Sequence, residues 1–180
     1  MESLKIGVIG YGMIGKIHTM AYLSIPLYSG GIIPVKLTGV CCGSEESCQL
    51  AMQSAPFEWS TTDYRKLLAN DEVDVVSICS PNHLHREMVI EALKHRKHIY
   101  AEKPLALNRE EAVEVVELAR HSPVHTAMAL EYRFVPAVMR AKQLIEAGAL
   151  GKIFHFRMVY YRSKYMDETL PLTWRRILSI

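Results

Sequence analysis

Lys5-Ile6-Gly7-Val8-Ile9-Gly10-Tyr11-Gly12-Met13-Ile14-Gly15, close to the start of this 180-residue chain, decides the fold. Residues 5–9 read as a short, mostly apolar strand. The strand runs straight into Gly10-x-Gly12-x-x-Gly15, which opens a helical pattern continuing through His18, Ala21 and Tyr22. A glycine triplet by itself is an ordinary loop, but placed between an opening strand and a helix it is a dinucleotide fingerprint. Gly10 permits the tight turn, Gly12 lets the backbone approach a pyrophosphate, and Gly15 lets the helix close on the strand. The unpaired N–H groups at the helix start then face an anion, so Gly10, Tyr11, Gly12, Met13, Ile14 and Gly15 are the expected cofactor-binding loop. That end effect is worth about 0.3–1 kcal/mol, or about 2 where partly buried, and neighbouring loops must add to it.

A chain of 180 residues has room for one full domain and the beginning of another. It is 49% hydrophobic and 22% charged, with 21 Lys plus Arg against 19 Asp plus Glu and a net charge of +2, so it can build a core. This balance supports neither nucleic-acid nor anionic-membrane binding. Cys41, Cys42, Cys48 and Cys79 form no C-x-x-C pair and read as reduced thiols, with no metal site. No apolar run is long enough for a membrane span. The N-terminal apolar segment, broken by Gly7, Gly10, Gly12, Gly15 and Lys16, is no signal peptide, and a cytoplasmic location is expected.

Beyond the first helix, residues 24–34 contain Pro26, Gly30, Gly31 and Pro34 and read as an exposed loop. Residues 35–40 form the next strand. At its end, where a dinucleotide fold commonly places an acid for the adenosine ribose, stands Cys41-Cys42-Gly43-Ser44. Ser44 is expected to cap a helix over residues 45–54, with Glu45 and Glu46 suiting its dipole. The small Gly43-Ser44 turn leaves space for a 2′-phosphate against Ser44, yet no arginine follows to pair with one. NAD and NADP both remain open.

Thr62 is expected to cap a short helix over residues 63–68, and residues 73–79 read as a buried strand. That strand ends in Ser80-Pro81-Asn82-His83-Leu84-His85, which would face the ligand crevice at the carboxyl end of a parallel strand. A helix over 87–95 and a strand over 98–101 follow, and the strand delivers Glu102-Lys103-Pro104. An amine placed there can donate to a substrate hydroxyl or carbonyl oxygen, a charged hydrogen bond worth about 1.5–3 kcal/mol. Pro104 would fix the turn, and the cis form is open to it.

Residues 109–121 are an amphipathic helix, residues 124–130 a buried strand, and Pro136 and Gly148 bracket a helix with Ala137, Ala141, Leu144 and Ile145 as its inner stripe. The repeated strand-helix order makes a doubly wound parallel sheet, an α/β fold. In residues 153–161 the period changes to two. Phe154, Phe156, Met158 and Tyr160 line one face of a longer strand that should belong to a second sheet. No second convincing strand follows in 162–180, and one strand cannot make a stable domain. The expected organisation is a dinucleotide-binding domain over 1–130 and an incomplete second α/β domain over 131–180. The unpaired strand 153–161 is expected to drive homo-oligomer formation or another association, or to lack order.

These motifs together resemble the Gfo/Idh/MocA oxidoreductases: the glycine fingerprint, Ser80-Pro81-Asn82-x-x-His85, Glu102-Lys103-Pro104, Tyr132-Arg133-Phe134 with Pro136-Ala137, and Leu150-Gly151-Lys152-Ile153. The resemblance implies an NAD(P)-binding Rossmann domain and a second domain whose sheet lines the substrate, with hydride transfer between nicotinamide and a sugar, cyclitol or related polyol. It implies that Lys103 is catalytic, beside the nicotinamide and substrate, and that Glu102, Ser80, Pro81, Asn82 and His85 border the nicotinamide side. Trp174-Arg175, after Pro171-Leu172-Thr173, resembles a further cofactor-contacting segment. Glu131 departs from the asparagine common before Tyr132-Arg133. The resemblance stops near Arg175, before a glycine-rich stretch and an Asp/His pair found in family members, so the expectation for the 180 residues alone is no turnover. The alternative is a non-catalytic dinucleotide-binding module.

Overall fold

The computed structural model describes residues 3–30, 34–161, 163 and 169. Two units make up the chain, Met1–Ala129 and Leu130–Ile180. The first is built on a sheet of six strands: β1 (Leu4–Ile9), β2 (Val35–Cys41), β3 (Trp59–Thr61), β4 (Val75–Ile78), β5 (His98–Ala101) and β6 (Thr126–Met128). Their order is β3-β2-β1-β4-β5-β6, and every pairing is parallel. Parallel neighbours need long crossovers. Helices supply them: α1 (Met13–Ser29), α2 (Glu45–Ser54), α3 (Tyr64–Ala69), α4 (His85–Lys94) and α5 (Arg109–Arg120).

Strand alternation sorts the core into two layers. Ile6 and Val8 of β1 join Leu37, Val40, Cys48, Ala51 and Phe57 on one face, where Tyr11 and Tyr22 also pack. Ile9, Val76, Ile78, Ile99 and Ala101 join Leu67, Leu68, Met88, Val89, Ala92 and Val115 on the other. A fully buried aliphatic side chain of this kind contributes about 1.5–3 kcal/mol. Gly7 belongs to the second face, where an added Cβ would meet Leu67 at 2.7 Å.

Local chemistry sets the helix ends. Ser44 caps α2 by accepting from the Ser47 N–H at 3.2 Å, with Glu45 and Glu46 in its first turn, and Asn108 caps α5 by accepting from Glu111 N–H at 2.9 Å. Two readings of the sequence change here. Residues 24–29 continue α1 instead of forming a loop: the fixed φ of Pro26 is already helical, and the helix runs through it at the cost of the one ladder bond its missing N–H would have made. Gly30, at φ 56°, ends the helix. The cap of α3 is Asp63, which accepts from Arg65 N–H at 3.0 Å, and not Thr62. The edge strand β3 has only three residues, too few to show a period in sequence.

At the other edge, residues 124–130 yield only Thr126–Met128, and Thr126 and Ala127 are exposed, not buried. With β5 on one side alone, the run lacks the second neighbour that a near-continuous apolar segment suggested. The strand expected over 73–79 shortens to Val75–Ile78 because Val73 lies before the ladder and Cys79 where the chain turns.

The second unit opens with a 3-10 turn, Glu131–Phe134, followed by α6 (Pro136–Glu146) and by Gly148 at φ 71°. The inner stripe expected on α6 is exposed: Leu144 and Ile145 remain 37% and 45% accessible. Residues 153–161 are not in a strand, since none of them pairs in a ladder among the described residues, and Phe154, Phe156, Met158 and Tyr160 are exposed. Alternation supplied a face for burial, but a strand also requires a hydrogen-bonded neighbour. Within this unit Tyr132 and Tyr160 meet edge to face, their hydroxyls 3.1 Å apart.

Candidate active site

The sheet order reverses at β1, between β2 and β4, and ligands of open α/β sheets bind beyond the carboxyl ends of strands at such a switch point. The glycine turn stands there. Gly10 has φ +91°, and a Cβ on it would lie 2.6 Å from the Cys79 carbonyl oxygen, so both backbone shape and the adjoining β4 chain demand glycine. A Cβ on Gly15 would fall 1.9 Å from the Gly10 carbonyl oxygen, which shows how closely α1 is pressed on the turn. Gly12 has nothing within 4 Å of its Cβ position. It precedes α1 without a side-chain cap, and so the first N–H groups of that helix, from Met13, Ile14 and Gly15, are available to an anion. Tyr11 turns away to pack edge-on against Phe57 and reach Ser54 Oγ at 3.2 Å, leaving its backbone for the loop.

Beyond β4, Ser80 is buried, and its Oγ has no partner among the described residues. A buried hydroxyl without a partner costs about 1–3 kcal/mol. The open space at Gly12, the uncapped helix and this orphaned hydroxyl fit a dinucleotide that approaches with its pyrophosphate over Gly12 and a polar group near Ser80. Pro81 and Asn82 enter a 3-10 turn, Asn82–Leu84, and are partly buried. His85 is only 1% exposed, with Nδ1 2.6 Å from the Pro104 carbonyl oxygen and Nε2 2.9 Å from that of Ser80. It ties the β4 loop to the turn after β5 and presents no ring surface to a ligand. Ser44 spends its hydroxyl on the α2 cap. Trp174 and Arg175 lie outside the described residues.

The alternation that turns Tyr100 toward α1 continues to Glu102, just past β5. Glu102 is buried, and its carboxylate accepts from the Lys103 N–H at 3.1 Å and from His18 Nε2 at 3.2 Å. A buried carboxylate needs such partners. The Lys103 ammonium lies 3.9 Å from Glu102 and is half exposed on the same rim as the glycine turn. The Lys103–Pro104 peptide is cis.

Sequence reading passed over His18, although its spacing from Gly15 and Tyr22 puts all three on the helix face toward the sheet. Its Nδ1 lies 2.7 Å from Ser77 Oγ and 3.4 Å from Cys79 Sγ, and its ring stacks on Tyr100 at 5.1 Å. The available signal was Ser77, a polar residue inside an apolar strand. Burial pushes the Tyr22 phenol and the Cys79 thiol beside this cluster up to about 12 each.

A parallel sheet in this order, with a glycine turn at the reversal and open helix N–H groups above it, defines a dinucleotide-binding Rossmann domain. Residues 4–129 match the Gfo/Idh/MocA oxidoreductase family with its NAD-binding Rossmann fold, and the chain belongs to that family. The levoglucosan dehydrogenase of Pseudarthrobacter phenanthrenivorans is 37% identical over 182 residues, covering 100% of this chain and 46% of that protein. The scyllo-inositol 2-dehydrogenase (NAD(+)) of Bacillus subtilis is 30% identical over 174 residues, covering 94% and 46%. The solved structure of a levoglucosan dehydrogenase in complex with NADH superposes with a TM-score of 0.92 at 35% identity, covering 97% of this chain and 47% of that one. The chain thus spans about half the length of the curated relatives it matches.

Proposed function

We propose that this chain carries the cofactor half of an NAD-dependent dehydrogenase acting on a CH–OH group of a sugar, cyclitol or related polyol. The supporting observation is the Lys103 ammonium, paired to a buried Glu102 on the rim that also holds the glycine turn. Bound NAD supplies the nicotinamide C4 that takes or gives the hydride. Gly10, Gly12, Gly15 and the first N–H groups of α1 hold the pyrophosphate, Ser80 donates its orphaned hydroxyl, and Pro81 and Asn82 border the nicotinamide side. Lys103 holds the proton that passes to or from the substrate oxygen, and Glu102 keeps it placed. His85 holds the two loops together. The Glu102–Lys103 pair favours this reading over a non-catalytic binding module.

Among NAD and NADP, NAD is proposed: Glu45 and Glu46, exposed in the first turn of α2 after Ser44, would repel a 2′-phosphate. The four free thiols support a cytoplasmic location, and no described helix is long and apolar enough to cross a membrane. The exposed row Phe154, Phe156, Met158 and Tyr160 supports homo-oligomer formation through 153–161.

Titration with NADH and NADPH, followed by turnover on a polyol panel, tests the reading. NADH should bind more tightly than NADPH. Lys103→Ala should keep NADH binding and lose about 10²–10⁴-fold in turnover, as for removal of a general acid–base group. Failure to bind either nucleotide would defeat the proposal.

A further inference from the structure

Glu102 has two partners besides the Lys103 side chain, and one of them is remote in sequence. Its Oε2 accepts the Lys103 N–H at 3.1 Å, while its Oε1 lies 3.2 Å from Nε2 of His18 on α1. An ionised carboxylate has no hydrogen to give, so the contact requires His18 Nε2 to carry the proton. In the neutral ring Nδ1 is then a lone-pair nitrogen, and Ser77 Oγ, at 2.7 Å, donates to it. Cys79 Sγ stands 3.4 Å from the same nitrogen, and Tyr100 stacks on the ring.

The order serine, histidine, carboxylate invites comparison with a nucleophilic triad. Ser77 is 0% and His18 8% exposed, so the hydroxyl meets no substrate. What the line does reach is Lys103, through Glu102. We propose that His18 is a positioning residue: anchored by Ser77, it clamps the Glu102 carboxylate in the orientation that presents Lys103 to the crevice. The inference rests on the dehydrogenase reading only for what Lys103 does there.

Two amide side chains separate the two bonds. Gln in place of His18 can offer a donor at the Nε2 position and keep the Glu102 bond. Asn reaches only as far as Nδ1 and keeps the Ser77 side alone. Amide hydrogen exchange by NMR then reads the Lys103 N–H, whose acceptor is Glu102 Oε2, against the Glu102 N–H, which donates to Ile78 at 2.9 Å within the sheet. His18→Asn should raise Lys103 exchange relative to Glu102 by about tenfold or more, and His18→Gln by less than about threefold. In the unsubstituted chain, a long-range ¹H–¹⁵N spectrum of the ring should show hydrogen on Nε2. No hydrogen on Nε2, equal behaviour of Asn and Gln, or Glu102 exchange rising in step with Lys103 would each overturn the proposal. An Nε2 without hydrogen overturns the proposal even where a variant does not fold. Neither readout needs cofactor, and the nucleotide titration and turnover assays test the dehydrogenase reading separately.

Discussion

Leu67 and Leu144 are both leucines on the apolar stripe of a helix, yet Leu67 is 0% exposed and Leu144 37%. The contrast extends to their units. In the first, α3 and α4 meet β1, β4 and β5, and each apolar stripe finds a layer facing it. In the second, residues 131–161 have no buried side chain, and α6 is followed by a segment without a ladder partner among the described residues. Periodicity shows which face of an element is apolar. It does not supply the element that covers it.

The largest effect expected from this contrast is Leu67→Ala, about 2–5 kcal/mol of stability by urea unfolding, because a cavity would open between α3 and the sheet. A loss below about 1 kcal/mol would mean that the first core is looser than its burial implies. Gly15→Ala should follow at about 3 kcal/mol, the upper end of overpacking, since its Cβ would strike the Gly10 backbone at 1.9 Å. Circular dichroism and urea midpoints would show it.

Alkali should also weaken the first unit. Burial pushes the Cys41, Cys42 and Cys79 thiols from 9.0 to about 12, and the Tyr22 phenol from 10.0 to about 12. The unfolded chain releases these protons first, so the stability is complete below pH 9 and lost as pH rises from about 9 to about 12. Urea midpoints at pH 8, 10 and 11 should fall in order, and Tyr22→Phe should flatten the part above pH 10.

The smallest stability changes are expected at two open positions. Leu144→Ala in the second unit should stay within about 0.5 kcal/mol, as for surface substitutions, and a larger loss would reveal cover for α6. Gly12→Ala should likewise leave stability within about 0.5 kcal/mol, having nothing within 4 Å, while NADH affinity falls more than tenfold by titration. Comparison with Gly15→Ala separates a glycine kept for the ligand from one kept for packing.

Much of the first unit was legible because its signals are local. β5 and α2 have the bounds their patterns imply, and the caps Ser44 and Asn108 hold by contacts a few residues away. The site was legible as a rim: Gly10, Ser80 and Lys103 each follow a strand, and parallel strands bring their carboxyl ends to one edge. Its interior was less so. His85 is expected beside the nicotinamide and lies buried between the Ser80 and Pro104 carbonyls, while His18 meets Glu102 across 84 residues. β6 and residues 153–161 misled because an apolar run or an alternating apolar face records a tendency to be buried and says nothing of which neighbours are present.

Sequence by itself determined the strand-turn-helix at Gly10 to Gly15, the parallel α/β class and the residues offered to the crevice, since steric freedom at glycine and the periods of helix and strand are properties of short segments. Only the tertiary structure decided that Ser80 Oγ is orphaned, that Glu102 is held from α1, and that the stripe on α6 is open. Those depend on which segments meet, and burial and hydrogen bonding belong to the pair and not to either partner alone.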